Sequence, residues 1–150
     1  MNENYLYFKD DQVVLNSVNT TIFLVEGKVG QYIRSYAKLA IIGGKLFMET
    51  SNIDDVNVYG ELRLCRSTIR HGFINGSAVA VQSSITGVTI TGKVSAVQST
   101  FSNCTLKNAD SRYDHCMFTN CRITGGNFKN CEFDDSCELT ECAEMKDEVI

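Results

Sequence analysis

The chain has 150 residues, of which 43% are hydrophobic, and it carries a net charge of −4. These values fit one folded domain of ordinary size and exclude a disordered chain. No apolar run approaches the roughly 18 residues that a membrane span needs, and the first residues lack the basic and apolar segments of a secretion signal. We therefore expect a protein without a membrane partner that is cytoplasmic or incorporated into a virus particle.

The first 43 residues do not follow the period of the rest of the chain, and we expect them to cap one end of the domain. The runs YLYF, VVLN and TIFLVEG indicate strands or irregular segments. In residues 28–43, apolar residues at 32, 33, 36, 37, 40 and 41 follow a helical period, and Gly43 suits a C-cap. This pattern favours a capping helix. The alternative is a first coil, because Ser35 lies sixteen residues before Ser51.

Residues 44–106 repeat with a strict period of sixteen. A glycine, a serine and two apolar columns keep this spacing: Gly44, Gly60, Gly76 and Gly92; Ser51, Ser67, Ser83 and Ser99; Ile53, Ile69, Ile85 and Phe101; Val58, Ile74, Ile90 and Leu106. Self-similarity at a fixed period is the signature of a repeat architecture. Each block contains three pairs of small or apolar residues separated by one residue, the spacing of a short half-buried strand. Stacked blocks would align these inward residues in columns.

The serine column has a structural explanation. A small side chain must lie beside a bulky one inside a narrow coil, and its hydroxyl can bond the adjacent backbone turn. A catalytic serine would be single and would need a base beside it. The two histidines, His71 and His115, fall at corners or outward positions without an evident acid or nucleophile partner. We therefore expect no catalytic residues and no enzyme activity.

After Leu106 the period changes to five. Bulky residues five apart each follow a small residue two positions earlier: Tyr113, Phe118, Ile123, Phe128 and Phe133 follow Ser111, Cys116, Cys121, Gly126 and Cys131. The stretch CMFTN-CRITG-GNFKN-CEFDD resembles the pentapeptide-repeat family over about residues 99–142, and units such as SSITG-VTITG extend the resemblance back through 51–106. The family implies a right-handed β-helix with square coils of twenty. The six-residue face found here makes a three-sided coil of sixteen instead.

The stretch from NVYGELRL to ITGVTITGKV is also similar, in texture and coil length, to the bactofilins, which are small polymer-forming β-helices. The predicted fold is all-β: a right-handed parallel β-helix, or β-solenoid, of about six three-sided, sixteen-residue coils, with an N-terminal cap that contains one helix. We expect the cap at residues 1–43, the solenoid at 44–142 and an acidic C-terminal tail at 143–150.

Six of the seven cysteines lie in the C-terminal third, and we expect most of them to be structural. The small inward position of the coil is occupied by Cys104, Cys116, Cys121 and Cys131. A buried thiol there behaves as a small hydrophobe. No CxxC pair is present, so we expect no metal site, and the odd count argues against a disulfide framework. Cys65 falls at an outward position and is the expected reactive thiol. No cofactor or small-molecule substrate is indicated.

The six-residue face carries apolar side chains at outward positions, where a sheet facing water would carry polar ones. These residues are Phe47, Val79, Val81 and Val97, together with Cys65. Contiguous outward apolar residues indicate a covered surface. Either the N-terminal segment folds over this face, or a protein partner or a second copy of the chain binds there.

The charge is distributed asymmetrically. Residues 131–150 contain eight of the 18 acidic residues and a single base. The acidic side chains that could form a partner surface are Glu132, Asp134, Asp135, Glu138, Glu141 and Glu144. They form either a solvated tail or an electrostatic handle for a basic partner.

These observations predict a non-catalytic scaffold or interaction protein in one of three forms. The first is a structural element that self-associates into a homo-oligomer. The second follows from the pentapeptide-repeat resemblance, which implies a charge mimic of DNA that binds a nucleic-acid enzyme such as a topoisomerase; direct binding of nucleic acid is not expected. The third is a virus structural or spike component, favoured by the small size and the Ser/Thr-rich surface.

Overall fold

The computed structural model describes residues 4–8, 12–15, 20–24, 27–108, 110–141 and 143–145, with side chains in 27–108 and 110–141. All regular secondary structure in these residues is β-strand. The strands are parallel and stack as a β-solenoid of about seven turns. The all-β solenoid expected from the sequence period is therefore confirmed.

The strands of the first half are β1 (Asn4–Phe8), β2 (Gln12–Leu15), β3 (Thr20–Leu24), β4 (Val29–Ile33), β5 (Tyr36–Ile42), β6 (Lys45–Glu49), β7 (Asn52–Val58), β8 (Glu61–Cys65), β9 (Thr68–Ile74), β10 (Ser77–Val81) and β11 (Ser84–Thr86). The strands of the second half are β12 (Val88–Ile90), β13 (Val94–Val97), β14 (Thr100–Ser102), β15 (Thr105–Lys107), β16 (Arg112–Asp114), β17 (Met117–Thr119), β18 (Arg122–Thr124), β19 (Asn127–Lys129), β20 (Glu132–Phe133), β21 (Glu138–Thr140) and β22 (Ala143–Met145).

Two parallel sheets make the three faces of the coil. Face 1 is, in the described residues, a nine-stranded sheet in the order β2-β4-β6-β8-β10-β13-β16-β19-β22. Faces 2 and 3 share the second sheet, because β5, β7 and β9 are long enough to turn the corner between them. In β7, two consecutive residues that are not buried separate the buried Ile53 from the buried Val56. Later coils divide this path into separate strands, first β11 and β12, then β14 and β15.

The register between coils follows the sequence period. Lys45 pairs with Glu61, a step of sixteen that is repeated through the middle of the chain. The step changes after β15, where Thr100 pairs with Met117 and Met117 pairs with Glu132. Three five-residue units therefore complete one coil in the C-terminal part, instead of the four that the pentapeptide-repeat resemblance implies.

The residues expected to point inward are buried in columns. On each face the two inward residues of a strand alternate with outward ones, as in β8, where Leu62 and Leu64 are buried. The serine column is buried beside the isoleucine column, so that Ser83 and Ile85 lie inside the same corner. The core is therefore a ladder of equivalent residues from successive coils.

The glycine column marks the closest approach of successive coils. A Cβ atom on Gly76 would lie 1.8 Å from the carbonyl oxygen of Gly60, and one on Gly92 would lie 1.3 Å from the carbonyl oxygen of Gly76. Steric contact with the neighbouring backbone therefore requires glycine at these corners.

The capping helix expected in residues 28–43 is wrong. These residues form β4 and β5, which pair with β6 and β7 at the sixteen-residue register. The inward residues of a coil come in pairs two apart, with a step of three at two corners and of four at the glycine corner. Over one coil this spacing overlaps with the helical period. Ser35 extends the serine column, as the alternative interpretation predicts. The parallel ladder continues through β1 to β3, which accounts for about seven turns instead of six.

The core changes from aliphatic to aromatic at Phe101. On face 2, the rings of Phe101, Phe118 and Phe133 stack with centroids 5.0 Å apart. On face 1, Tyr113 stacks on Phe128 at 4.8 Å. The two columns meet edge to face, as Tyr113 does with Phe118 at 5.2 Å. Both arrangements are favourable geometries for aromatic pairs and add to the stabilisation from buried area.

Candidate interaction surfaces

Face 1 presents apolar side chains outward on neighbouring strands. The two alanines of β10 are buried, so the alternation of the strand turns Val79 and Val81 outward. Val81 lies between two other outward residues of its column, Val97 on β13 and Cys65 on β8. We call Cys65, Val79, Val81 and Val97 the valine patch. The structure therefore brings together three of the four apolar residues expected to form a binding face, with Cys65 among them.

The other two faces of the same coils carry hydroxyl side chains at outward positions. These are Ser84, Thr86, Thr100 and Ser102 on face 2, and Thr89 and Thr105 on face 3. Phe73 is exposed on face 3, but it lies between Asn57 and Thr89. Scattered apolar residues of this kind are ordinary on protein surfaces. A contiguous apolar patch is therefore a feature of face 1 and not of every face.

Val79 and Val81 line a shallow concavity of about 320 Å³ on face 1. Both are half-buried by neighbouring side chains, whereas Val97 is 40% exposed. Ile33 on β4 also lines the concavity. It was not among the expected face residues because its segment was interpreted as a helix, although Ser35 already indicated a coil there.

Phe47 differs from the valines because charged side chains cover its ring. Lys45 Nζ lies 5.9 Å and the guanidinium carbon of Arg63 lies 5.3 Å from the ring centroid, within cation–π reach. Glu61 accepts a hydrogen bond from Arg63 and pairs with Lys45 at 3.6 Å. The Arg63 hydrogen bond is the main reason that the pKa of Glu61 lies below its ordinary value. Phe47 thus belongs to a charged cluster beside the valine patch.

The acidic residues expected to form a partner surface are distributed around the last coil and do not form one patch. Glu132 lies on face 2, Glu138 on face 3, and the backbone of Glu144 on face 1. Asp135 and Glu141 are exposed. Their strands, β20 to β22, are the last strands of the described ladder. Charged side chains at such an edge disfavour pairing with another sheet.

Two of these acids already have partners within the chain. Oδ1 of Asp134 accepts hydrogen bonds from the backbone N–H groups of Asn120 and Ser136, both at 3.1 Å, and from the Ser136 hydroxyl at 2.6 Å. The Ser136 hydroxyl is the main reason that the pKa of Asp134 is below its ordinary value. Glu138 pairs with Arg122 at 3.3 Å. Asp134 therefore stabilises the last turn of the backbone.

Cysteines occupy two corner columns. Cys116 and Cys131 continue the serine column, and Cys104, Cys121 and Cys137 lie at the next corner. Cys104, Cys116 and Cys121 are buried, as expected. Cys131 is only half-buried, contrary to expectation, because its coil lies close to the end of the described solenoid and fewer residues cover it. Cys142 lies outside the described residues.

Successive coils place thiols of one column next to each other. The neighbouring Cys116 thiol is the main reason that the pKa of Cys131 is lowered, to about 7. The interaction with Cys131, together with burial, raises the pKa of Cys116. We therefore expect Cys131 to react with thiol reagents in addition to Cys65. This pairing depends on the register between coils, which is why the positions in the sequence did not indicate it.

No group of three or more His, Cys, Asp or Glu side chains within the described residues is placed to hold a metal ion. His115 does have an acid neighbour, since its Nδ1 lies 2.5 Å from Oδ1 of Asp114 at an exposed corner. The described part of the chain also contains no helix with the length and apolar character of a membrane span.

The chain matches no protein-family model, and no curated protein sequence matches it significantly. The structure establishes a parallel β-solenoid. The likeness to the pentapeptide-repeat family and to the bactofilins is a resemblance of the residues quoted above.

Proposed function

We propose that this protein is a non-catalytic β-helical scaffold that self-associates through face 1 into a homo-oligomer. The valine patch carries the proposal, because outward apolar residues occur on this face in coils whose other faces are lined by serine and threonine. A contiguous group of outward apolar residues on one face indicates a surface that another molecule covers. Packing the patch against a second flat sheet removes this surface from water.

Lateral association agrees better with the charges than pairing of two C-terminal ends does. Acidic side chains lie on β20 and β21, and two such ends would repel each other. The alternative of a DNA mimic has less support, because duplex mimicry requires an extended negative surface along the solenoid. Here the acids encircle the last coil, and Asp134 and Glu138 are engaged within the chain.

The test is the oligomeric state of the purified chain, measured by size-exclusion chromatography with light scattering over a series of concentrations. We expect a homo-oligomer whose dissociation constant rises at least tenfold in Val81→Lys. A lysine at the centre of the patch must lose its hydration in the interface, and about 1.4 kcal/mol already corresponds to a factor of ten.

The matched control is Thr86→Lys, which adds the same charge at a half-buried outward position of face 2 in the same coil. This variant should associate like the unmodified chain, and both variants should keep a β-rich circular dichroism spectrum. An unmodified chain that stays monomeric at high micromolar concentration would contradict the proposal.

A further inference from the structure

We infer, on the basis of the self-association proposed above, that the second copy packs on face 1 in the antiparallel orientation, with the two-fold axis running along β10. The strand register and the charges of face 1 distinguish this arrangement from a parallel one. The occupant of the valine patch is then the same patch of a second copy.

Two flat sheets that pack face to face lie about 10 Å apart, and a closed pair is related by a two-fold axis in the plane between them. If this axis runs along β10, the coils of the two copies run in opposite directions. Each strand then faces the strand that lies equally far on the other side of β10, so that β8 faces β13 and β6 faces β16. The residues at one outward position of successive strands form a column. In this orientation each column faces the same column of the second copy.

The apolar residues match in this orientation. Cys65 of one copy faces Val97 of the other, because both belong to the outward column that contains Val81. Val79 and Val81 face the same valines of the second copy at the axis. The valine patch is therefore self-complementary about β10, and its centre is the part that is removed most completely from water.

The charged residues around the patch also match. Glu61 at the start of β8 faces Lys93, because both adjoin Ser77 in one outward column. Phe47, whose ring Lys45 and Arg63 already cover, faces Arg112 in the column that contains Val79. The contact between Glu61 and Lys93 places an acid opposite a base, which is a favourable pairing across an interface.

One pairing in this orientation joins two carboxylates, Glu49 and Asp114. Each of them has a base nearby in its own chain: Arg66 lies 3.0 Å from Glu49, and Lys129 lies beside Asp114 on the adjacent strand. A positive charge of the same copy therefore accompanies each carboxylate.

A parallel arrangement whose axis runs along the solenoid over the Val79 column produces less favourable contacts. It reverses the order of the outward residues within each strand, so that Arg63 faces Arg63 and Arg112 faces Arg112. Val81 then faces Ser77 instead of another apolar residue. Opposed like charges cost free energy across an interface, so the charges of face 1 favour the antiparallel pair over this arrangement.

Thiol cross-linking tests the orientation. In Val97→Cys, the new thiol faces Cys65 of the second copy across the roughly 10 Å that separates two packed sheets, which is beyond the limit of about 7 Å for a direct disulfide. A short bis-maleimide spans this distance: each maleimide C=C bond adds one thiol, forming a C–S bond while the thiol proton moves to the adjacent ring carbon. Linkage between positions 65 and 97 of one chain leaves a monomer band, so a dimer band on a denaturing gel reports the pair across the interface. We expect this dimer band for Val97→Cys.

Two further variants serve as controls. Glu61→Cys should form little covalent dimer, because position 61 faces Cys65 only in the parallel arrangement. Val97→Cys combined with Cys65→Ala should lose the covalent dimer, since this removes the thiol that Val97→Cys is expected to meet. The unmodified chain should also form little covalent dimer.

The outcomes separate the orientation from the self-association itself. A monomer in light scattering overturns both. A dimer in light scattering that is trapped through Glu61→Cys, or through neither variant, overturns the antiparallel orientation and leaves the self-association intact.

A charge exchange gives a second readout without cysteine chemistry. Glu61→Lys and Lys93→Glu should each raise the dissociation constant, and the double variant should restore it to within about threefold of the unmodified value. If the double variant associates no more tightly than the weaker of the two single variants, the orientation is overturned, because Glu61 and Lys93 face each other only in the antiparallel pair.

Discussion

The sixteen-residue coils of residues 29–106 and the five-residue units of residues 111–141 build the same three-sided coil from different side chains. Serine lies at the corner beside aliphatic residues in the first region, and cysteine lies there beside aromatic residues in the second. The architecture therefore requires a small side chain with a hydrogen to donate at this corner, and not one particular residue.

In the first region the corner is held by directional hydrogen bonds. The Ser67 N–H donates to the Ser83 hydroxyl at 3.1 Å, and the Ser67 hydroxyl donates to the carbonyl oxygen of Cys65 at 2.9 Å. The same two bonds recur at Ser35 and Ser51. Each hydroxyl thus closes its own turn and accepts a hydrogen bond from the preceding coil.

In the second region the volume of the side chain contributes more to holding this corner than its hydrogen bonds do. The thiol of Cys131, which continues the serine column, donates to the carbonyl oxygens of Tyr113 and Lys129, both at 3.4 Å. A thiol is a weak donor, but sulfur is larger and more polarizable than oxygen and makes favourable contacts near aromatic rings. The aromatic stack and the cysteine corners therefore occur together because they fill the interior jointly.

The largest difference between the regions is expected at their glycines. Gly92→Ala should destabilise the protein by more than about 4 kcal/mol, because its Cβ would collide with the backbone of the adjacent coil. Gly126→Ala should cost about 1–3 kcal/mol, since its nearest contacts, at 3.2 Å, are side-chain atoms of Tyr113 and Phe128, and its φ of 105° is strained for alanine. Thermal unfolding of both variants checks the order, and a Gly92→Ala melting temperature close to that of the unmodified chain would contradict the close stacking.

The next largest effect concerns the serine corner. Ser83→Leu should cost at least about 1–3 kcal/mol, because the larger side chain overpacks the corner beside Ile85 and removes the acceptor of the Ser67 N–H. Ser84→Leu, one residue later and half-exposed on face 2, is the matched control and should change stability little. Equal denaturation midpoints for the two variants would argue against a buried serine corner.

A smaller effect is expected where the regions differ in their left-handed corner residues. Thr50 has a φ of 51°, which is unfavourable for a β-branched residue, whereas Asn130 in the equivalent corner has a φ of 53°. Thr50→Asn should therefore stabilise the protein by about 0.5–1 kcal/mol, and Asn130→Thr should destabilise it by a similar amount. Chemical denaturation of both variants measures the changes, and shifts of the same sign would refute this explanation.

The smallest effect is a pH dependence in the second region. The hydrogen bonds to Asp134 lower its pKa in the folded state, so its carboxylate stabilises the fold above the ordinary Asp pKa and loses this contribution as the pH falls through the lowered value. The melting temperature of Asp134→Asn should lie slightly below that of the unmodified chain at neutral pH and converge with it in strong acid. A difference in melting temperature that stays constant at all pH values would mean that the charge of Asp134 does not contribute to stability.

The register was predictable from the sequence because an inward column repeats at a fixed spacing. Ser83 and Ile85 lie at the corner that the period indicates, and Val79 and Val81 point outward as expected. The segment 28–43 was misinterpreted because one coil, taken alone, has an apolar spacing similar to that of a helix. Pairing with β6 and β7 resolves this ambiguity.

The candidate site was only partly predictable. Phe47 was expected to be an apolar contact, but Lys45 and Arg63 cover its ring. The acidic residues were expected to form one surface, but the three faces distribute Glu132 and Glu138 around the last coil. Both outcomes depend on which side chains of different coils become neighbours.

The sequence by itself determined the repeating coil, since a period of sixteen with three inward pairs permits few packings other than a solenoid. The tertiary structure decided which surfaces the coil presents. Stacking places residues sixteen positions apart about 4.8 Å from each other, so the valine patch, the covered ring of Phe47 and the neighbouring thiols of Cys116 and Cys131 arise from the register between strands. A linear sequence carries the period of a column, but the charges and thiols that meet across neighbouring columns are determined by how the chain turns its corners.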